Sequence, residues 1–340
     1  MKYKHIAISQ FGGPENLLLV EDDLREPGPN EVRVKVLSAG VSFADLFMRQ
    51  GVHPESWNLG RTPFTPGWDI VGVVDKLGNK VSTWHLGQIV AALPIVGGYS
   101  EYIFISSNDL VAVPVGLDPA EVVSLVLNYI TAYQMLHRCA HIKSGETVLI
   151  NGGAAGGVGT ALLQLGKLVN LDKMFGTASA EKHGIVSDLG GIPIDYKSVD
   201  LGQEIIKLTN HNDNAPGVDA VFDGIGGKSF KTSYEILRSG GRLVAYGGTP
   251  TADLCEWLTM FTMNIVSDKK KFILYSIQTL KRANPAWFHE DLVLLLDLLK
   301  QGKINPIIGA RMPLDQAAKA HELLAGGSVK GKIVLICNEW

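Results

Sequence analysis

Apolar runs of strand length, punctuated by glycine and proline, fill the chain as far as about residue 120. Tyr3–Ser9, Glu31–Ser38, Ile70–Leu77, Gln88–Ala92 and Tyr99–Ile105 read as strands, with Pro27-Gly28-Pro29, Pro66-Gly67 and Gly97-Gly98 between them. Many short strands separated by turn residues predict an antiparallel barrel or sandwich. One helix is expected near Ser42–Arg49. Beyond this region the texture changes. Strands are predicted at Thr147–Asn151, Lys173–Thr177, Ala220–Asp223 and Arg242–Tyr246, with helical stretches between them. Such alternation predicts a parallel, doubly wound sheet. Amphipathic helices at Leu292–Gln301 and Leu314–Leu324 precede a final strand, Lys332–Ile336, expected to return to the first domain. The fold class is thus α/β, a β-barrel domain joined to a doubly wound one, with no internal repeat.

The most informative stretch is Thr147–Gly159, Thr-Val-Leu-Ile-Asn-Gly-Gly-Ala-Ala-Gly-Gly-Val-Gly. An apolar run ends in a glycine-dense turn, and the helical pattern Thr160–Val169 follows. Strand, glycine turn and helix N-terminus form the phosphate cradle of a dinucleotide site. Glycine lets the backbone approach a pyrophosphate and lets helix and strand pack closely. Cofactor choice is read about 20 residues on, where an NAD site would place Asp or Glu on the ribose. Here Gly176-Thr177-Ala178-Ser179 is followed by Lys182 and His183, and hydroxyls with a lysine suit a 2′-phosphate. NADPH is therefore expected, with Glu181 as the residue that could face the ribose instead. The expected cofactor contacts are Ala155, Gly156, Gly157, Val158, Gly159, Thr177, Ser179, Lys182, Tyr196, Gly224, Tyr246 and Gly247.

Length and composition narrow the classes. A chain of 340 residues suggests about two domains. Hydrophobic content of 46% and charged content of 19% fit a globular enzyme with ample core. With a formal net charge of -3 and no basic tract beyond Lys269–Lys271, nucleic acid is not an expected partner. Cys139, Cys255 and Cys337 lie far apart, offering neither a metal cluster nor a disulfide framework, and fit a reduced, cytoplasmic setting. No leader pattern precedes the first strand. The apolar stretch Val122–Leu136 contains Ser124, Asn128, Thr131 and Gln134 and is too short and polar to span a bilayer.

Several segments carry a family likeness. Ala39–Gly51, Phe64–Gly72, Asn128–Tyr133, Ala154–Gly159, Phe222–Gly227 and Gly331–Leu335 match, in order, signatures written AGVNFADxxxRxG, PxxPGxExxG, NYLTAY, AAGGVG and two further ones. In these the chain resembles the zinc-independent quinone oxidoreductase group of the medium-chain dehydrogenase/reductase superfamily, with its vesicle-amine-transport-protein-1-like and zeta-crystallin-like members. The likeness runs from Ile6 to Ile336. It implies a GroES-like substrate domain from residues 1–122 and 266–340, an inserted Rossmann NADPH-binding domain at 123–265, and a homodimer.

Metal is the next question, because many relatives carry a catalytic zinc held by about three protein ligands. By the resemblance, Ser42 stands where a zinc enzyme has Cys, and Trp68-Asp69 where it has a His-Glu pair. No metal is expected. Hydride transfer to an acceptor already able to take it then becomes the simplest reaction, with the cofactor carrying the chemistry. Thr131, by match to the family's threonine, is expected to position the nicotinamide or the substrate carbonyl, with Asn128 beside it. Ser42 occupies the place of a family asparagine, and His53 that of a tyrosine that could donate a proton. The expected activity is NADPH-dependent reduction of quinones, small-molecule substrates that need no membrane partner. The alternatives are reduction of α,β-unsaturated carbonyls (2-alkenals, enones or enoyl thioesters) and a non-catalytic NADPH-binding role.

Overall fold

A computed structural model of the chain describes residues 1–60, 62–210, 215–247 and 269–339. The chain divides into two compact units, Met1–Asn128 with Leu292–Trp340, and Tyr129–Asp291. The boundary expected at 265/266 falls outside the described residues. Residues 271–291 belong with the second unit, because Lys271–Leu274 adds a parallel strand to its sheet.

The first unit is built around the long strand Glu31–Val41. Its first half alternates half-buried Glu31, Arg33 and Lys35 with buried Val32, Val34 and Val36, as a strand with one wet face must. Along one edge it pairs antiparallel with Ile70–Leu77. Along the other it pairs first with Tyr102–Ser106 and then with Lys332–Ile336. Where the second partner replaces the first, Asn338 Nδ2 donates to the carbonyls of Val36 (2.8 Å) and Glu101 (3.0 Å). The Glu101 carbonyl also accepts the Val36 N–H (2.9 Å), so the Asn338 side chain joins the two strands at this point. Ile89–Ala92 and Val111–Ala112 extend the sheet beyond Ile70–Leu77, and Ile308–Pro313 lies beyond Lys332–Ile336. Val34, Val90, Tyr99, Ile333 and Leu335 are among the residues that fill the core. The last strand returns to this unit as expected, whereas the strand expected from Tyr99 begins at Tyr102, the helix expected from Leu292 begins at Pro285, and the strand Leu17–Asp23 was not expected.

The second unit holds a six-stranded parallel sheet among the described residues. Its order is Ile192–Ile194, Lys173–Thr177, Thr147–Asn151, Val218–Asp223, Leu237–Ala245 and Lys271–Leu274. The chain starts in the middle and winds outward first one way, then the other. The strand order therefore reverses between Thr147–Asn151 and Val218–Asp223, and a crevice opens at their carboxyl ends. Buried Leu149, Phe175, Val221, Phe230 and Leu243 form the core on one face.

Candidate functional site

In the second unit the two central strands end side by side on Asn151 and Asp223. Asp223 is fully buried, and its carboxylate gathers five donors. Oδ1 accepts from the backbone N–H of Ile225 (2.9 Å) and Gly226 (3.1 Å). Oδ2 accepts from Ser229 Oγ and Ser233 Oγ (both 2.6 Å) and from Asn151 Nδ2 (3.2 Å). This knot ties the turn after one strand to the end of the other and fixes the floor of the crevice. Sequence reasoning did not select Asp223 or Asn151 as site residues, although both stand at expected strand ends and Asp223 lies inside the Phe222–Gly227 signature.

The loop after Asn151 needs glycine for stated reasons. Gly152 and Gly153 have φ of +89° and +74°, which L side chains rarely adopt. A Cβ on Gly159 would collide with Gly153 O and lie 2.5 Å from Ala154 Cα. The helix Gly157–Val169 starts from Gly156 with no side-chain cap and no acidic residue in its first turn. Its first N–H groups therefore face outward unsatisfied, with the positive end of the helix dipole behind them. This is a cradle for an anion, and its residues fit a dinucleotide's pyrophosphate. Of the expected contacts here, Ala155 is buried, while Gly156, Gly157 and Val158 are half-buried at the helix start. Gly224 donates its N–H to Asn151 O (2.9 Å), and a side chain there would press on the ring of Tyr246. Gly247 follows with φ +58°.

The Thr177 side chain is buried, and its Oγ1 accepts the N–H of Gly152 at 2.8 Å. It braces the glycine loop from behind. Ser179, half-buried Lys182 and exposed Tyr196 lie beyond it. Ser179 Oγ donates to Glu181 at 2.6 Å, which lowers the pKa of that carboxyl. Lys197, whose ammonium stands 5.9 Å from the Tyr196 ring, adds a second cation beside Lys182.

Thr131 is buried in a helical stretch, Ile130–Tyr133, set between two π-turns, Leu125–Tyr129 and Gln134–Cys139. Single π-turns occur disproportionately at functional sites. The Thr131 hydroxyl bonds the phenol of Tyr275, whose pKa burial pushes up. Tyr275 donates to Gln134 Oε1 (2.9 Å), and Gln134 Nε2 donates to Asp291 Oδ2 (2.8 Å). Asp291 is also gripped by Arg138, through Nε (3.0 Å) and Nη2 (2.6 Å). Thr131 is thereby held by a buried chain of polar groups.

The first unit collects the other expected residues around the loop Pro66–Asp69. Ser42 is the N-cap of the helix Phe43–Gln50 and forms a reciprocal capping box with Asp45. Its hydroxyl donates to Asp45 Oδ2 at 2.6 Å, so it is engaged in the cap rather than free for substrate. His53 caps the next helix, Pro54–Leu59, with Nδ1 accepting the N–H of Glu55 at 3.1 Å. Nδ1 must therefore be unprotonated, and burial lowers the pKa of the ring and so disfavours its charged form. Its ring packs edge-on against Trp68, with centroids 5.2 Å apart.

Asp69 and Lys332 form a pair buried to 0% and 2% side-chain exposure, with Nζ–Oδ2 2.8 Å. Burial raises the Asp69 pKa, and the ammonium opposes that rise. Lys332 Nζ also donates to Asn128 Oδ1 at 3.3 Å. A side chain at Gly40 would collide with the Lys332 stem and with Asp69 Oδ2. Trp68 cannot bind a metal through carbon and N–H, and its Nε1 points at Met48 Sδ (3.2 Å). With an ammonium already on Asp69 and Ser42 held in its cap, these residues do not fit a zinc ion. Among the described residues, no three His, Cys, Asp or Glu side chains converge to hold a metal. No helix among them is long and apolar enough to cross a membrane.

Comparison with known proteins agrees with this architecture. Residues 28–115 match the family described as alcohol dehydrogenase GroES-like domain, and residues 192–335 match zinc-binding dehydrogenase. The chain is 33% identical to the synaptic vesicle membrane protein VAT-1 homolog of Rattus norvegicus, over 97% of this chain and 83% of that protein. It is 28% identical to the quinone oxidoreductase of Homo sapiens, over 97% of each. The crystal structure of Escherichia coli quinone oxidoreductase complexed with NADPH superposes with a TM-score of 0.88 at 26% identity, covering 98% of this chain and 100% of that one. The chain belongs to the medium-chain dehydrogenase/reductase superfamily of oxidoreductases, among the VAT-1 homologues and quinone oxidoreductases.

Proposed function

We propose that the chain is an NADPH-dependent reductase that passes hydride to a quinone without a metal ion. The observation that carries this is the uncapped helix N-terminus behind Gly153, Gly156 and Gly159, at the point where the parallel sheet reverses its order. The glycine loop and helix would hold the pyrophosphate. Ser179, Lys182 and Tyr196 would receive the 2′-phosphate end, with Lys197 adding charge. When bound, NADPH supplies the hydride.

The protein's own residues bind and orient. Thr131, fixed through Tyr275, Gln134 and Asp291, keeps one hydroxyl rotamer and positions the reacting ring. Asn128 supplies an amide to the substrate oxygen. Ser42 and His53 act as helix caps and are assigned no proton transfer. A zinc-independent reaction is supported by the occupants of the metal position, Trp68, capped Ser42 and the Asp69–Lys332 pair. A quinone suits such a site, because its carbonyls draw electrons without a Lewis acid. The homodimer implied by the sequence resemblance is part of the same proposal, and light scattering tests it.

The test is NADPH consumption against a panel of acceptors. Turnover of 9,10-phenanthrenequinone with NADPH, and weak turnover with NADH, is the expected result. Turnover of 2-alkenals or crotonyl thioesters but no quinone would reassign the substrate to conjugated carbonyls. Tight NADPH binding with no turnover of any acceptor would overturn the reductase reading.

A further inference from the structure

The pair Asp69–Lys332 lies inside the first unit, next to an asparagine whose orientation it decides. An ammonium has three hydrogens to donate and no lone pair to offer. Lys332 Nζ stands 3.3 Å from one terminal atom of the Asn128 side chain. That atom has to be the oxygen, because two donors would repel. The NH₂ group is consequently turned to the opposite side, where it finds no acceptor among the described residues. Asn128 retains 6% exposure, so this donor sits at the edge of the buried cluster and not deep within it.

The cluster is built to hold that orientation. Asp69 Oδ2 anchors Nζ at 2.8 Å, and Asp69 Oδ1 has no hydrogen-bond partner. The carboxylate therefore spends its bonding on the lysine, and the lysine's charge has no route to water. Gly40 leaves the space the lysine stem occupies. A buried charge pair is weak evidence for stability, since neutral groups of similar volume often do as well. Its best-attested use is to specify one arrangement.

We propose that Lys332, held by Asp69, is a positioning residue that fixes the Asn128 carboxamide with its NH₂ outward, as the hydrogen-bond donor to the carbonyl oxygen of the substrate. The inference rests on the reductase reading above. As hydride arrives, negative charge develops on that oxygen, and a donor already aimed at it needs no reorganisation. Freed from Lys332, the amide would rotate between two states, only one of which can donate.

Three variants of the full-length protein test this with 9,10-phenanthrenequinone and NADPH. Asn128→Ala removes the donor and should lower kcat about 10²-fold, the usual cost of one oxyanion donor. The pair Asp69→Asn with Lys332→Met removes both charges together, so that neither is left buried alone. It should lower kcat several-fold, leave NADPH affinity unchanged, and keep thermal stability close to wild type. On the Asn128→Ala background the same pair should cost nothing further in kcat. Losses that simply multiply, or a wild-type kcat in the charge-free pair, would overturn the proposal. A crystal structure of the wild-type protein soaked with 9,10-phenanthrenequinone gives a readout independent of turnover. The quinone oxygen should lie within hydrogen-bond distance of Asn128 Nδ2, and a quinone bound away from Asn128 would overturn the assignment. A wild-type protein that turns over no acceptor refutes the reductase reading alone, and the soaked structure still decides the contact.

Discussion

Asp45 Oδ1 accepts the backbone N–H of Gly67 at 3.1 Å while Oδ2 closes the capping box with Ser42. One buried carboxylate thus ties the start of a helix to the loop that carries Trp68 and Asp69. Burial pushes its pKa up to about 7 from 3.8, against the pull of the Ser42 bonds. The sign follows directly. A carboxyl whose pKa is higher folded than unfolded binds more protons when folded, so its contribution is fully present below pH 3.8 and is lost as pH rises through about 7. Stability measured by urea denaturation should fall between these values by up to about 1.4 kcal/mol per pH unit, relative to Asp45→Asn, and the difference should be flat above. Asn at this position carries a separate, pH-independent cost, because its NH₂ would face the Ser42 donors. A wild-type-minus-variant difference that does not move with pH would show that folding leaves the Asp45 pKa unshifted.

Gly159→Ala should abolish cofactor binding while leaving the protein folded. The added Cβ would meet Gly153 O and Ala154 Cα, all backbone, so relief requires the loop to move. Displacing the loop misaims the N–H groups that face the pyrophosphate. NADPH affinity by fluorescence titration should drop at least about 100-fold, or roughly 2.7 kcal/mol. The first unit's Tm should stay near wild type.

Much of this was legible in the chain. The strands Thr147–Asn151 and Lys173–Thr177 sit where the apolar runs put them, since a buried parallel strand has to be apolar on both faces. The glycine cradle was legible for a similar reason: only glycine satisfies its backbone. Lys332 was not. It bonds Asp69 across 263 residues, and the sequence shows it only as one residue of a terminal strand signature. Ser42 and His53 stand as helix caps, a duty the sequence does not separate from catalysis, because a cap and a catalytic hydroxyl or imidazole use the same atoms. Ser42-x-x-Asp45 was the signal for the cap, as such spacing is the mark of a capping box. Thr177 follows the same pattern, a hydroxyl at a strand end that is turned inward to Gly152.

Asp291 should behave as a keystone of the second unit. It accepts from Gln134 and twice from Arg138, with 2% side-chain exposure. Asp291→Ala strands a guanidinium and an amide together, and removing one partner of such a buried pair costs about 3–5 kcal/mol. Because Gln134 also accepts from Tyr275, which bonds Thr131, kcat should fall along with Tm. Asp291→Asn keeps an acceptor for Gln134 and should recover part of both. Loss of Tm with an unchanged kcat would uncouple Thr131 from this chain.

His53 separates two roles cleanly. As a cap its Nδ1 accepts from Glu55 N–H, a duty asparagine can also perform. His53→Asn should keep stability within about 0.5 kcal/mol, whereas His53→Ala should cost about 1 kcal/mol. Neither should change the pH profile of quinone reduction. A profile whose inflection disappears in both variants would make the imidazole a proton donor after all.

The proposed preference for NADPH over NADH rests on Lys182. Lys182 and Lys197 both act on the carboxylate of Glu181, which Ser179 also bonds. A charged hydrogen bond to a phosphate contributes roughly 1.5–3 kcal/mol. Lys182→Ala should therefore weaken NADPH about tenfold or more and leave NADH unchanged, because NADH has no 2′-phosphate to lose. Glu181→Gln should act in the opposite sense. It removes the negative charge that repels the phosphate, so NADPH should tighten modestly, and the gain should shrink as added salt screens the pair. Equal weakening of NADPH and NADH by Lys182→Ala would mean that the lysine holds the pyrophosphate or the helix itself, and cofactor preference would then rest on Ser179 and Tyr196.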